Sequence, residues 1–187
     1  MSFEKTHIPD LVVYTPKVHG DNRGYFMESF NTKQFINSGI SEPFIQDNQA
    51  GSSYGVLRGL HYQLNPFAQA KLVRVLKGKV LDVAVDIRKG SPTYLESFSI
   101  ELSEENNKQL YVPRGFAHGY VVLSETAVFF YKVDNTYSKE SEGGIIYNDS
   151  TLNIDWKIPE EDMIISEKDK ILPGVDNMNH NFEYQGQ

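Results

Sequence analysis

The stretch KLVRVLKGKVLDVAVDI, Lys71–Ile87, is where the fold can be read first. Its two β-branched runs, Lys71–Leu76 and Lys79–Ile87, flank Lys77-Gly78, a combination that predicts two strands joined by a tight hairpin. In the second run Leu81, Val83, Val85 and Ile87 point one way, and Val80, Asp82, Ala84 and Asp86 point the other. In the first, Lys71 shares a face with Val73 and Val75. Working outward, similar runs predict strands at Leu11–Tyr14, Tyr25–Phe30, Phe44–Asn48, Gly55–Gln63, Tyr94–Glu101, Gln109–Val112, His118–Leu123, Val128–Val133 and Gly144–Tyr147. Helical signals are few. Thr32–Ser38 stops at Gly39, Ser103–Lys108 opens on a capping serine with acidic residues behind it, and Ser166–Lys170 is a short turn. Many short strands with few helices imply an all-β sandwich, barrel or jelly roll.

The length of 187 residues suits a single domain, 1–187, with a polar tail over 171–187 that drapes over the surface or frays. There are no cysteines, which removes disulfides, thiolate nucleophiles and Cys-ligated metals and fits a reducing compartment. The start lacks a signal-peptide pattern and no stretch has membrane-spanning length, so a cytoplasmic location is expected. The net charge of −7 argues against nucleic acid or a membrane surface as partner. A small anion remains acceptable if cations gather locally. Of five arginines, Arg23 and Arg58 lie in candidate site segments. Arg74 and Arg88 read as exposed strand residues, and Arg114 as a turn residue.

Three segments could carry chemistry. GVLRGLHYQ, Gly55–Gln63, sets Arg58 and His61 inside an apolar strand, where a satisfied core histidine and a surface arginine are the plain alternative. Strand parity puts the two on opposite faces, so a shared site requires a bulge or twist at Gly59. PRGFAH, Pro113–His118, has a P-x-G-x-x-H spacing that resembles the second motif of the cupin superfamily, whose fold is a jelly-roll barrel. The first cupin motif usually offers H-x-H, but here it reads His61-Tyr62-Gln63. Asp82 and Glu101 lie too far along the chain to be the usual acidic ligand, so no metal is expected. VFFYKV, Val128–Val133, carries Tyr131 on a face with Phe129 and Val133, and Tyr137 follows in a loop. Alone, the first would be a core aromatic and the second incidental.

Together these segments carry a longer resemblance. GDNRGYFMESF (Gly20–Phe30), QDNQAGSSYGVLRGLHYQ (Gln46–Gln63), AQAKLVRVLKGKVLDVAVDIRKGSPTY (Ala68–Tyr94), YVPRGFAHGYVVLSETAVFFYK (Tyr111–Lys132), YNDSTLNIDWKIP (Tyr147–Pro159) and ISEKD (Ile165–Asp169) resemble the dTDP-4-dehydrorhamnose 3,5-epimerases of rhamnose biosynthesis. The resemblance implies a cupin-like jelly roll, a homodimer with exchanged N-terminal strands, and no cofactor. It implies His61 as general base, Asp169 as its supporting carboxylate, Tyr131 as general acid and Lys71 as the stabiliser of enolate charge. Arg23, Glu28, Gln46, Asn48, Arg58, His118, Tyr137, Glu142 and Lys168 fall where the family contacts substrate, with Arg23 and Arg58 on the diphosphate and Tyr137 stacked on thymine. The chain departs at Ala70, where the family often has glycine, and at Asn22 and Gln49.

The chemistry explains the residue types. A 4-keto sugar has acidic hydrogens on both carbons beside the ketone. Inversion needs one group to remove a proton and another to return it on the opposite face. Histidine, with an intrinsic pKa of about 6.5, suits the base, and tyrosine, at about 10, stays protonated as the acid. A lysine cation acts where enolate charge develops. A single-centre epimerase, a cupin metalloenzyme and a non-catalytic carbohydrate-binding cupin are the competing readings.

Overall fold

The computed structural model describes residues 1–186. Its strands are β1 (Ser2–Lys5), β2 (Val12–Thr15), β3 (Val18–Asp21), β4 (Gly24–Met27), β5 (Gln46–Ser53), β6 (Val56–Gln63), β7 (Lys71–Lys77), β8 (Lys79–Asp86), β9 (Ser97–Ser103), β10 (Gln109–Val112), β11 (Phe116–Val122), β12 (Thr126–Val133), β13 (Glu142–Gly144) and β14 (Ile164–Ile165). Helix α1 spans Thr32–Asn37 and α2 spans Glu167–Lys170.

Two six-stranded sheets form a cupin-like jelly roll. One has the order β1-β2-β10-β7-β12-β5. The other runs β13-β6-β11-β8-β9, with β14 added in parallel to β6. The predicted hairpin is β7–β8, but its two strands belong to different sheets, so Lys77-Gly78 turns a corner between the layers. This explains why the alternating pattern is apolar on both faces of β8. Val80 and Ala84 pack between the sheets with Val73, Val75, Phe116, Tyr120 and Phe129. Leu81, Val83, Val85 and Ile87 pack outside, under Ile145, Leu152, Trp156 and Phe182. A third cluster seats Phe35 of α1 on Tyr14, Leu72 and Tyr111 of the first sheet.

Several expectations need correction. Ser103–Lys108 is not a helix: β9 runs on to Ser103, and the Asn106 amide then ties Ser103 N–H and Glu101 C=O into a turn. A polar side chain that satisfies local backbone groups competes with helix formation over so short a span. Strand β5 extends to Ser53 through polar and glycine residues that carry little strand signal. Arg74 and Arg88 are buried, not exposed. Arg88 is held by Asp86 and Asp10 and lies over the Phe116 ring. The tail drapes rather than frays: Val175 and Phe182 are buried, and Lys89 bridges Glu183. Gln187 lies outside the described residues.

Candidate active site

The bulge expected at Gly59 is present. Along the β6–β11 pairing His61 sits opposite His118 and Arg58 opposite Tyr120, so two residues of β6, Gly59 and Leu60, answer one of β11, Gly119. Gly59 has φ +130, and a Cβ there would lie 2.6 Å from Gly119 Cα and 2.9 Å from the His118 carbonyl oxygen. Only glycine fits this approach. The extra residue resets the side-chain parity, and Arg58 and His61 both line one cavity of about 550 Å³.

The cavity lies between the sheets. Its walls include Lys71 at the start of β7, His118 and Tyr120 of β11, and Phe129 and Tyr131 of β12, with Ile164–Ser166, Lys168 and Asp169 from the chain's return past β6. A second cavity of about 480 Å³ shares His61, Lys71, Tyr131 and Lys168 and adds Gln69, Tyr137 and Glu142. The two are lobes of one cleft.

Two histidine–carboxylate pairs stand in it. His61 Nε2 lies 2.8 Å from Asp169 Oδ1. Asp169 is delivered by α2, whose capping residue Ser166 accepts the Asp169 backbone N–H at 3.1 Å. Burial works against the Asp169 charge, but the hydrogen bond and charge of His61 and the Gly59 N–H outweigh it and hold the carboxyl below its usual range. His118 Nε2 lies 3.0 and 3.1 Å from the oxygens of Asp82, which is fully buried. Desolvation lowers the Lys71 ammonium to about 8, with Asp82 opposing the fall. Burial raises Tyr131, with Arg58 opposing. Its phenol therefore remains protonated at neutral pH.

The structure brings together His61, Lys71, Tyr131, Asp169, Arg58, His118, Tyr137, Glu142 and Lys168. Tyr137 donates to Glu142 at 3.0 Å, and Lys168 pairs with the other oxygen of the same carboxylate. Asn48 sits opposite Tyr131 on β5 and accepts from the Gln46 amide at 2.8 Å, at the rim rather than in the wall. Arg23 and Glu28 are elsewhere. Arg23 tips the β3–β4 hairpin and pairs with Asp21, and Glu28 accepts from Asn31 and Gln34. Asp82 had been passed over as too distant along the chain. The signal for it was an acid on an otherwise apolar strand face.

The donor set does not favour a metal. Each cavity histidine has committed Nε2 to its own carboxylate, and no group of three or more His, Cys, Asp or Glu among the described residues could hold an ion. What the cleft offers instead is a carboxylate-backed imidazole, a protonated phenol and a desolvated ammonium around one space, a set suited to proton transfer with stabilisation of a developing anion.

Residues 5–177 match the family model described as dTDP-4-dehydrorhamnose 3,5-epimerase. The chain belongs to this epimerase family. The dTDP-4-dehydrorhamnose 3,5-epimerase of Shigella flexneri is 54% identical over 170 residues, covering 90% of this chain and 93% of that protein. The crystal structure of the dTDP-4-dehydrorhamnose 3,5-epimerase from Elizabethkingia anophelis NUHP1 superposes with a TM-score of 0.92 at 57% identity, over 95% of this chain and 97% of that one. The dTDP-6-deoxy-D-glucose-3,5-epimerase of Legionella pneumophila Philadelphia 1, solved in complex with dTDP-4-keto-L-rhamnose, gives 0.93 at 44% identity over 99% of both chains. Within the epimerase family the site thus sits in a shared framework that covers nearly the whole chain.

Proposed function

We propose that this chain is an isomerase that inverts carbons 3 and 5 of dTDP-4-keto-6-deoxy-D-glucose to give dTDP-4-keto-L-rhamnose, in dTDP-L-rhamnose biosynthesis. The observation that carries the reading is that His61, backed by Asp169, and Tyr131 line the same cavity. With Nε2–H donated to Asp169, Nδ1 of His61 holds the lone pair that removes the proton beside the ketone. Tyr131 returns a proton from the other side of the ring, and Lys71 holds the enolate oxygen. Arg58 meets the diphosphate, Tyr137 the thymine, and His118, Asn48, Gln46, Glu142 and Lys168 the remaining polar edges. Carbon oxidation states are the same in substrate and product, so the reaction needs no redox cofactor.

The whole chain acts as one domain in a homodimer. The β3–β4 hairpin crosses to the partner and carries Arg23 and Glu28 to its cleft. In support, Tyr25 and Phe26 on this hairpin are 66% and 71% exposed, an arrangement that suits a covered surface better than a solvated one. No described helix is long and apolar enough to cross a membrane; a nucleotide-sugar substrate supports a cytoplasmic enzyme without membrane or nucleic-acid partners.

Incubation with the 4-keto sugar nucleotide in deuterated water tests the function. Deuterium is expected at both carbons, and chelation should leave the rate intact. His61→Ala and Tyr131→Phe are expected to abolish turnover while thymidine diphosphate still binds. Label at one carbon alone would reduce the reading to a single-centre epimerase, and an active His61→Ala protein would remove the base.

A further inference from the structure

Arg58 emerges from the Gly59 bulge with no carboxylate partner among its hydrogen bonds. Its guanidinium instead reaches across the cleft corner from β6 to β5, where Nε and one terminal nitrogen lie 3.4 and 3.3 Å from the Ser52 hydroxyl oxygen. Ser52 faces inward with Ala50 and Asn48, opposite Ala127 of β12. Beside it stands Tyr120, directly opposite Arg58 in the β6–β11 register and only 5% exposed.

The Tyr120 hydroxyl is an unexplained group. It is buried and no hydrogen bond of good geometry reaches it. The ring itself is well accounted for, stacked on Phe129 at 4.0 Å and 17°. Packing alone would be served by phenylalanine, and an unpaired buried hydroxyl carries a desolvation penalty. Ser52 brings a second hydroxyl to this corner, because the guanidinium that reaches it belongs to Arg58, the residue opposite Tyr120. A serine oxygen that accepts from a guanidinium still has an O–H to place, and the Tyr120 oxygen is the acceptor at hand.

We infer that Ser52 and Tyr120 are positioning residues for Arg58: the guanidinium donates to Ser52, and a small rotation turns the Ser52 O–H onto the Tyr120 oxygen. The relay fixes a long side chain that would otherwise lose rotamer freedom on meeting an anion. It presents the remaining guanidinium N–H groups to the cavity as a preset fork for two phosphate oxygens. The Tyr120 ring lines the cavity wall, but its hydroxyl is buried away from the open space, so the effect of that hydroxyl passes through Ser52. The inference rests on the reading that Arg58 meets the diphosphate of a nucleotide sugar.

Calorimetric titration with thymidine diphosphate tests it in two backgrounds. In the native background Ser52→Ala and Tyr120→Phe are each expected to weaken binding about three- to tenfold, the range for the net contribution of one hydrogen bond. KM for the sugar nucleotide should rise in step while kcat changes less than twofold, and Ser52→Thr should restore affinity. In an Arg58→Ala background the same substitutions should have no further effect, because the group they position is gone. Equal losses in both backgrounds, or none in the native one, would overturn the relay. An Arg58→Ala protein with undiminished affinity for thymidine diphosphate would instead overturn the placement of Arg58, and the relay with it. Tyr120→Phe keeps the stack on Phe129, so its melting temperature separates a folding defect from a binding one.

Discussion

Lys71 begins β7 and enters the cleft where desolvation lowers its pKa to about 8. Below that value it is the cation that an enolate requires, and above it the cation is lost. The kcat/KM profile, which reports the free enzyme, is therefore expected to fall about tenfold per pH unit above pH 8. Tyr131 is shifted upward by burial and does not titrate in that window. Lys71→Arg should lower the plateau but move the alkaline limb to higher pH, and an unmoved limb would remove Lys71 as its source. The stability linkage has the opposite sense. The folded value lies below the ordinary 10.5, so the buried ammonium opposes folding at pH 8 and below, and that opposition fades as pH rises from about 8 to 10.5. Asp169→Asn keeps the shape beside His61 but removes the charge that supports the imidazolium. It is expected to lower kcat on the order of 10³-fold with the fold intact, checked by single-turnover rates and a melting curve. The roles expected of His61, Tyr131 and Lys71 came from the family resemblance, because a strand histidine and a tyrosine beside Phe129 read alone as core residues. Asp82 was not legible, because its partner His118 is distant along the chain and meets it only through the β8–β11 pairing.

At the level of elements the Gly59 bulge decides the site. Strand parity alone set Arg58 and His61 back to back, and glycine was the one visible hint that they could face the same way. Gly59→Ala meets Gly119 and His118 backbone at 2.6 and 2.9 Å and forces a side chain into φ +130. The expected cost is about 2 kcal/mol or more, which for a chain of this size is roughly 4–8 °C in Tm. Activity should fall further than stability, since both Arg58 and His61 lose their aim. A variant with native Tm and native kcat/KM would show that the bulge does not set the site. The β7–β8 alternation was legible for the same reason that Ser103–Lys108 misled. Strand pairing over seven or eight residues averages many contacts, whereas a span of six is settled by one amide, here Asn106. The β3–β4 hairpin was half visible: Tyr25 and Phe26 suggested a strand, but its mate Val18–Asp21 has too little apolar content to announce itself.

For the molecule as a whole, the residues absent from the cleft carry as much information as those within it. Arg23 belongs to a hairpin that, among the described residues, is paired with no other strand, and its side chain is 85% exposed, yet the matching segment suggests a role on the diphosphate. Exchange of hairpins across a two-fold axis reconciles the two, because each cleft then takes its His61 from one chain and its Arg23 from the other. Complementation separates this arrangement from a hairpin that folds back onto its own cleft. A His61→Ala chain still offers a native Arg23, and an Arg23→Ala chain still offers a native His61. In a mixed dimer with exchange, one cleft receives both defects and the other receives neither. Refolding equal amounts of the two variants together makes about half of the dimers mixed, so about one quarter of native activity should return at substrate levels where each variant alone is nearly inactive. If each hairpin serves its own cleft, every cleft in the mixture contains one defect and no activity returns. Size-exclusion analysis of the same mixture fixes the dimer fraction, so a silent mixture of intact dimers would count directly against exchange.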